Sequence, residues 1–337
     1  GNVIAMDIHF EKGQGTATGL PTLIAEELGL RMDQIGYEFA PSNNELYKNL
    51  MFGMQGTGGS TAMPNSFMQY RQAGAAAREM LIRAAANRWG VDAAQLDIAE
   101  GIISGAGQSA PLGEFVEEAA KLEVPANPRL RDPSEWKLIG NAGVKRKDSA
   151  IKGNGKAMYA MDLHLENHMV AVIARPDQVG ALAVSFDDAE TRSSDDIKAE
   201  IMAALDQEPT YNVSKTDRDK TSGAIDNAAT VVEQTFYFPL LAHAPMEPLN
   251  CTIEQTAEGE IVLHDGCQFP AGPHMAKAEI CQLPMEKVHI KTMLAGGSFG
   301  RRATPNADYQ EEASLAFVVT DRTRPVKLVW PRADAIR

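Results

Sequence analysis

The sequence predicts an α+β fold, on three observations. Residues 66–89 carry an apolar stripe at helical spacing, rich in alanine. Residues 3–10 alternate apolar and polar positions, the mark of a half-buried strand. Strand patterns return over 231–294 and again at Val326–Trp330, mixed with helical stretches and without a short fixed repeat.

In the first strand Ile4, Met6, Ile8 and Phe10 share one face, and Asp7 and His9 share the other. Gly13-Gln14-Gly15-Thr16-Ala17-Thr18-Gly19 follows. Pro21 then opens a helix through Glu26, Glu27 and Leu28, which Gly29 ends. Gln55-Gly56-Thr57-Gly58-Gly59-Ser60-Thr61 precedes the 66–89 helix, with Asn65 or Ser66 as its cap and Gly90 past its end. The stripe of that helix is Phe67, Tyr70, Ala73, Ala77, Met80, Leu81, Ala84 and Ala85. A helical stretch at 112–122 leads into a proline-rich linker, 125–133. Residues 156–163 and 169–175 read as paired strands, and a helix lies near 195–205 in a polar region. Later strands are Val231–Phe238, Leu249–Glu254, Ile261–Leu263 and Val288–Leu294, followed by a helix at 308–320.

The bulk numbers set limits. The chain has 337 residues, 44% hydrophobic and 23% charged, enough for two or three domains. A net charge of −13, with no long Lys/Arg cluster, argues for no nucleic-acid partner. No apolar run approaches the ~18 residues of a membrane span. No secretory signal pattern is visible, and the start at Gly1-Asn2 without Met reads as processed or truncated. Cys251, Cys267 and Cys281 have no CxxC spacing and read as small core residues.

The richest segment is Ala295-Gly296-Gly297-Ser298-Phe299-Gly300-Arg301-Arg302. Bare glycine N–H groups form anion-binding concavities, and the aromatic offers a flat wall. The combination suits a bulky, phosphate-bearing, ring-containing ligand. The loops at 13–19 and 55–61 echo it, each placed where N–H groups at a helix start meet negative charge. Turn chemistry alone explains any one of them, but three are harder to dismiss. GxGxxxG departs from the dinucleotide fingerprint GxGxxG, and the first strand is half polar where that fold needs an apolar one. A nicotinamide-dependent dehydrogenase therefore ranks lower. His243 and Glu247 lie four apart, but Pro245 and Pro248 keep the segment from being a regular helix; it reads as a structural corner. Arg301 and Arg302 would bind phosphate or pair with carboxylates across an interface. His264, His274 and His289 have no partner spacing and read as surface or packing residues.

In chain order the motifs are GQG at 13–15, TGGST at 57–61, Gly155-Lys156-Ala157, the segment 241–250, and GGSFGRR at 296–302. Together they resemble the molybdenum-cofactor-binding large subunit of the xanthine dehydrogenase and aldehyde oxidase family. The branch it resembles is the isoquinoline 1-oxidoreductase beta-subunit type, which includes bacterial aldehyde dehydrogenases. The resemblance implies molybdopterin-binding domains at 1–140 and 229–337, around a shortened α/β hammerhead at 141–228. It implies a molybdenum hydroxylase acting on an aldehyde or N-heteroaromatic carbon, with water as oxygen donor. The implied cofactor is molybdopterin cytosine dinucleotide with molybdenum. Implied partners are a 2Fe–2S small subunit, a c-type cytochrome subunit and the C-terminal half of the large subunit. The implied location is the periplasm or the periplasmic side of a membrane, with the cytoplasm as the other choice.

By the same resemblance Gly13, Gln14 and Gly15 line the pterin and its pyrophosphate, and Gly59 and Ser60 contact phosphate. The resemblance implies that Gln268 hydrogen-bonds the molybdenum oxo ligand. It puts Phe299 and Gly300 beside the metal and Gly297 and Ser298 among the cofactor contacts, with Gln268 and Phe299 as the catalytic candidates. The pterin dithiolene holds the metal, so no protein metal ligand is expected. The resemblance spans all 337 residues but only the first half of such a subunit. The family's catalytic glutamate belongs to the other half, so no general base is assigned here. Ser298 stands where GGGFG has its third glycine, and Ala62 stands where the family carries a hydroxyl. Where Arg175-Pro-Asp-Gln-Val-Gly180 runs straight into Ala181-Leu-Ala-Val-Ser-Phe186, the family normally carries several tens of residues more, so the resemblance implies a break or deletion at this junction. Ser298, Ala62 and the unassigned base support the alternative of a cofactor-free, non-catalytic scaffold relative.

Overall fold

The computed structural model describes residues 3–173, 193–205, 207, 217–239 and 241–335. The chain forms two compact units, one of 1–173 with 242–337 and one of 174–241. The smaller unit contains the helices Ser194–Leu205 and Arg218–Asp226, and Lys198 lies over the Tyr237 ring at 4.9 Å. The expected strand at Val231–Phe238 is absent: 231–239 are irregular and largely exposed, so its apolar residues have no face to bury.

In the larger unit, strands β1 (Val3–Asp7) and β2 (Ile35–Phe39) pair in parallel. Between them runs the helix Thr16–Leu28, packed against the long helix Ala62–Trp89. Close approach is set by Gly74, where a Cβ would lie 2.9 Å from Glu27 Cβ. Ala25, Leu28, Leu81, Ala84 and Ala85 fill the contact. Leu96, Ile98 and Ile103 extend the same core from β3 (Leu96–Ala99) and β4 (Ile102–Gly105), which with β5 (Gln108–Pro111) form an antiparallel meander. Each such buried Leu or Ile contributes ~1.5–3 kcal/mol.

Helix Thr16–Leu28 also carries a buried polar network. Glu27 pairs with Arg71 at 2.7 Å and Arg78 at 3.0 Å, and accepts the Arg131 N–H at 2.9 Å. Glu26 accepts the N–H groups of Lys137, Leu138 and Ile139. The proline-rich segment is therefore a strap tied to the helix rather than a free linker.

The five-stranded sheet has the order β6 (Met169–Ala171), β10 (Val326–Val329), β7 (Asn250–Gln255), β8 (Ile261–Asp265), β9 (Val288–Thr292). Its core joins Cys251, Ile253, Leu263 and Ile290 to Tyr309, Ala313 and Phe317 of the helix Asp308–Val319. All three cysteines are buried and free. The sequence pattern predicts that 156–163 pairs with 169–175; in the structure β6 pairs with β10 instead, and 160–162 form a short 3-10 turn. The expected break near 175–186 lies outside the described residues.

Three local readings are corrected. In β1 the face holding Ala5 and Asp7 is buried, while Ile4 and Met6 are half exposed. Small Ala5 joins the core of the two long helices, and Tyr70 of the long helix bonds the Met6 carbonyl and the Ile8 N–H. The first helix starts at Thr16, so Pro21 lies inside it, and the long helix starts at Ala62 behind Thr61. The 112–122 stretch is a 3-10 turn followed by one helical turn, Val116–Ala119.

Candidate functional site

The three glycine-rich loops meet at their roots. β1 runs into Phe10, whose N–H donates to Thr57 Oγ1 at 3.0 Å. Gly56 and Thr57 lead toward the long helix, and Thr57 N donates to the Gln268 carbonyl at 2.9 Å. Gln268 follows β8 and receives its own backbone anchor from the Arg302 carbonyl, at 3.1 Å. The Gln268 side chain is buried. Its Nε2 donates to the Thr57 carbonyl at 2.7 Å, and its Oε1 accepts the Ser298 hydroxyl. The Ala295 N–H reaches the Glu11 carbonyl at 3.4 Å. Segments far apart in sequence thus converge on Thr57, Gln268 and Ser298.

At the tips, Gln14, Gly59, Ser60, Phe299 and Gly300 are exposed. Gly59, Ser60, Phe299 and Gly300 all have positive φ, at 52°, 55°, 55° and 101°. Phe299 is 67% exposed. A bulky residue costs about 1–2 kcal/mol in the left-handed region and is retained only where its surroundings over-determine it. Here turn bonds hold both neighbours: Arg301 N donates to the Ser298 carbonyl and Ala303 N to the Gly300 carbonyl, each at 3.0 Å. Gln14 folds onto its own loop, accepting from Lys12 N at 2.8 Å and donating to the Phe10 carbonyl.

The first loop holds a surprise. The anion at the start of helix Thr16–Leu28 is Glu11, whose fully buried carboxylate accepts from Gly13 N at 2.7 Å, Gly15 N at 3.1 Å, Ala17 N at 3.1 Å and Thr16 Oγ1 at 3.2 Å. Arg146 and Lys152 stand 3.5 and 3.4 Å away. Both also pair with buried Asp148, whose carboxyl is held down at about 2 by these cations against its desolvation. The sequence pattern predicts ligand phosphate at this helix start; in the structure the Glu11 carboxylate takes these amides instead. The signal was available: an acidic residue two positions before the first glycine of GQG.

A second buried group lies behind Thr57. Asp7 accepts the His9 N–H at 2.9 Å, and its Oδ2 has no partner. Burial pushes this carboxyl up to about 7; the His9 N–H opposes the rise and Glu11 adds to it. Burial likewise pushes His9 down to about 4, so its ring is neutral between Thr57 Oγ1 and Ser66 Oγ.

Glu247 is the expected corner. It accepts from Met161 N, Asn250 Nδ2 and Gly296 N, and pairs with buried Arg302 at 3.0 Å. Arg302 also donates to the Gly297 carbonyl at 3.1 Å. Arg301 pairs with Asp308 at 2.8 Å and stacks over Trp330. Both arginines therefore pair with carboxylates of their own unit. His243 is exposed and lies beside Gly300. Among the described residues no group of three or more His, Cys, Asp or Glu side chains is arranged to hold a metal ion. No helix among them is long and apolar enough to cross a membrane.

The molybdopterin cofactor-binding domain family matches residues 2–179 and again residues 205–337. The chain is 26% identical to a membrane-bound aldehyde dehydrogenase [pyrroloquinoline-quinone] of Gluconacetobacter polyoxogenes, over 99% of this chain and 49% of that protein. It is 27% identical to isoquinoline 1-oxidoreductase subunit beta of Brevundimonas diminuta, over 97% of this chain and 52% of that protein. The chain thus spans about half the length of these relatives. The quinoline 2-oxidoreductase structure from Pseudomonas putida 86 aligns with a TM-score of 0.32 at 23% identity, over 40% of this chain and 18% of that one. This α+β chain belongs to the molybdopterin cofactor-binding family of the xanthine dehydrogenase and aldehyde oxidase type.

Proposed function

We propose that the chain is part of the large subunit of a molybdenum hydroxylase that oxidises an aldehyde or N-heteroaromatic substrate with oxygen from water, and passes electrons to a 2Fe–2S subunit. The observation that carries this reading is the meeting of the second and third loops on Gln268, in a chain matched over both halves by the cofactor-binding family. The relatives' names supply the substrate classes. A periplasmic or membrane-associated location and a c-type cytochrome partner complete the proposal.

The residues fit the cofactor unevenly. Gly59, Ser60, Phe299 and Gly300 offer exposed left-handed backbone, the kind that turns amides toward an anion. A Cβ on Gly13 would meet nothing within 4 Å, so that face is open. The Gly13, Gly15 and Ala17 amides already serve Glu11. The first loop would therefore meet the pterin along Gly13 and Gln14, not through the helix-start amides. When bound, the molybdenum would supply the redox and oxygen-transfer chemistry. The chain's own part is to seat it: Gly59 and Ser60 on the phosphates, Phe299 as an apolar wall, Gln268 as a neutral donor.

The test is turnover with the subunit's partners present. Aldehyde- or heterocycle-dependent dye reduction, with label from isotopic water in the product, supports the proposal. Product oxygen derived from dioxygen overturns it.

A further inference from the structure

We propose that Ser298 is a positioning residue: its buried hydroxyl satisfies the oxygen end of the Gln268 amide and so holds the orientation, selected by the Thr57 carbonyl, in which the donor end is left to meet a ligand. The consequence for an oxo ligand rests on the proposed function; the placement itself does not. Ser298 is 1% exposed and Gln268 3%. The Ser298 hydroxyl accepts the Arg302 N–H at 3.3 Å and donates to Gln268 Oε1. At the other end of the amide, Nε2 donates to the Thr57 carbonyl at 2.7 Å. The Gln268 backbone is pinned on both sides, by the Arg302 carbonyl and the Thr57 N–H. What remains free is the two-fold terminal torsion of the amide.

A flipped amide would set Oε1 against the Thr57 carbonyl, acceptor facing acceptor. With a hydroxyl at 298 the unflipped state is also rewarded at its oxygen end. Without that hydroxyl Oε1 would be buried and unsatisfied, which penalises the same orientation. An amide nitrogen carries two hydrogens, and only one is needed by the Thr57 carbonyl. With Oε1 held by Ser298 and one Nε2 hydrogen held by the Thr57 carbonyl, the second Nε2 hydrogen is the donor that can face an acceptor ligand. The serine that departs from the usual glycine therefore adds a contact instead of merely crowding the loop.

The test compares Ser298→Ala and Ser298→Gly in the 337-residue chain carrying isotope-labelled glutamine. The readout is proton exchange of the Gln268 side-chain amide by NMR. Both variants are expected to speed that exchange about fivefold, the ratio set by an ordinary hydrogen bond, while the Thr57 backbone amide is unchanged. If Ala behaves as wild type and only Gly differs, the side chain merely restricts the backbone and the proposal is overturned. Unchanged exchange in both variants also overturns it. In molybdenum-loaded protein both variants are expected to shift the Mo(V) paramagnetic resonance alike. An unshifted signal overturns the ligand-facing half. A wild-type protein without molybdenum would remove the proposed function and leave the exchange result standing.

Discussion

Glu11 offers the sharpest perturbation. Its carboxylate is fully buried, accepts three backbone N–H groups and the Thr16 hydroxyl, and has two cations within 3.5 Å. Glu11→Ala leaves all of these donors facing an apolar gap. Hydrogen bonds to a charged group are each worth about 1.5–3 kcal/mol, and removing one partner of a buried ionic cluster costs about 3–5 kcal/mol. The donors share one carboxylate, so the contributions do not add and the cluster figure is the better guide. We expect Glu11→Ala to lower unfolding free energy by about 3–5 kcal/mol in urea titrations. Glu11→Gln should lose less, since one oxygen remains to accept. The vacated helix start should then bind a small anion, so sulfate should restore more stability to Glu11→Ala than to wild type at matched ionic strength. A loss below about 1 kcal/mol, or no sulfate-specific rescue, would refute the view of Glu11 as the resident anion of this helix.

Other outcomes follow from the same geometry. The folded Asp7 carboxyl sits near 7, above its unfolded value of about 3.9, so folding takes up a proton between these pH values. Its contribution is present in full below about pH 4 and is lost as pH rises through about 7, by at most about 1.4 kcal/mol per unit. Wild-type stability minus that of Asp7→Asn should fall across this window; a flat difference would contradict the assignment. Breaking the buried Glu247–Arg302 pair with Arg302→Met should cost about 3–5 kcal/mol by calorimetry, and the Glu247→Gln/Arg302→Met double variant should lose less than the sum of the singles. Gly56→Ala puts a Cβ 2.4 Å from the Phe269 ring, which packs on Phe52. It should cost about 1–3 kcal/mol and displace Phe269 in a crystal structure; an unmoved ring would show that the loop shifts instead.

Elements with strong local signals were legible in the sequence. Gly29 and Gly90 do end their helices, and β7 to β10 fall where alternating residues placed them. The meander at 96–111 was not, because its strands are four residues each and glycine-bounded. The helix Ala271–Ile280 was missed too, since Pro273 lies in its first turn. The β1 face was misread because burial there follows fit to the helices: Ala5 is small enough, and Asp7 and His9 find backbone or hydroxyl partners.

The glycine loops stood out in the sequence, but the hydrogen bonds that join their roots did not. Thr57, Gln268 and Ser298 are joined by hydrogen bonds across large sequence separations, which no local pattern encodes. The roles of Glu26, Glu27 and Glu247 were hidden for the same reason. Each carboxylate binds backbone or arginine groups distant in the chain.

The most direct measurement is the molybdenum and pterin content of the protein purified from its own organism. About one molybdenum and one pterin dinucleotide per chain, with no bound quinone, is the result expected. Protein that carries neither, or that carries pyrroloquinoline quinone in their place, would contradict the central claim.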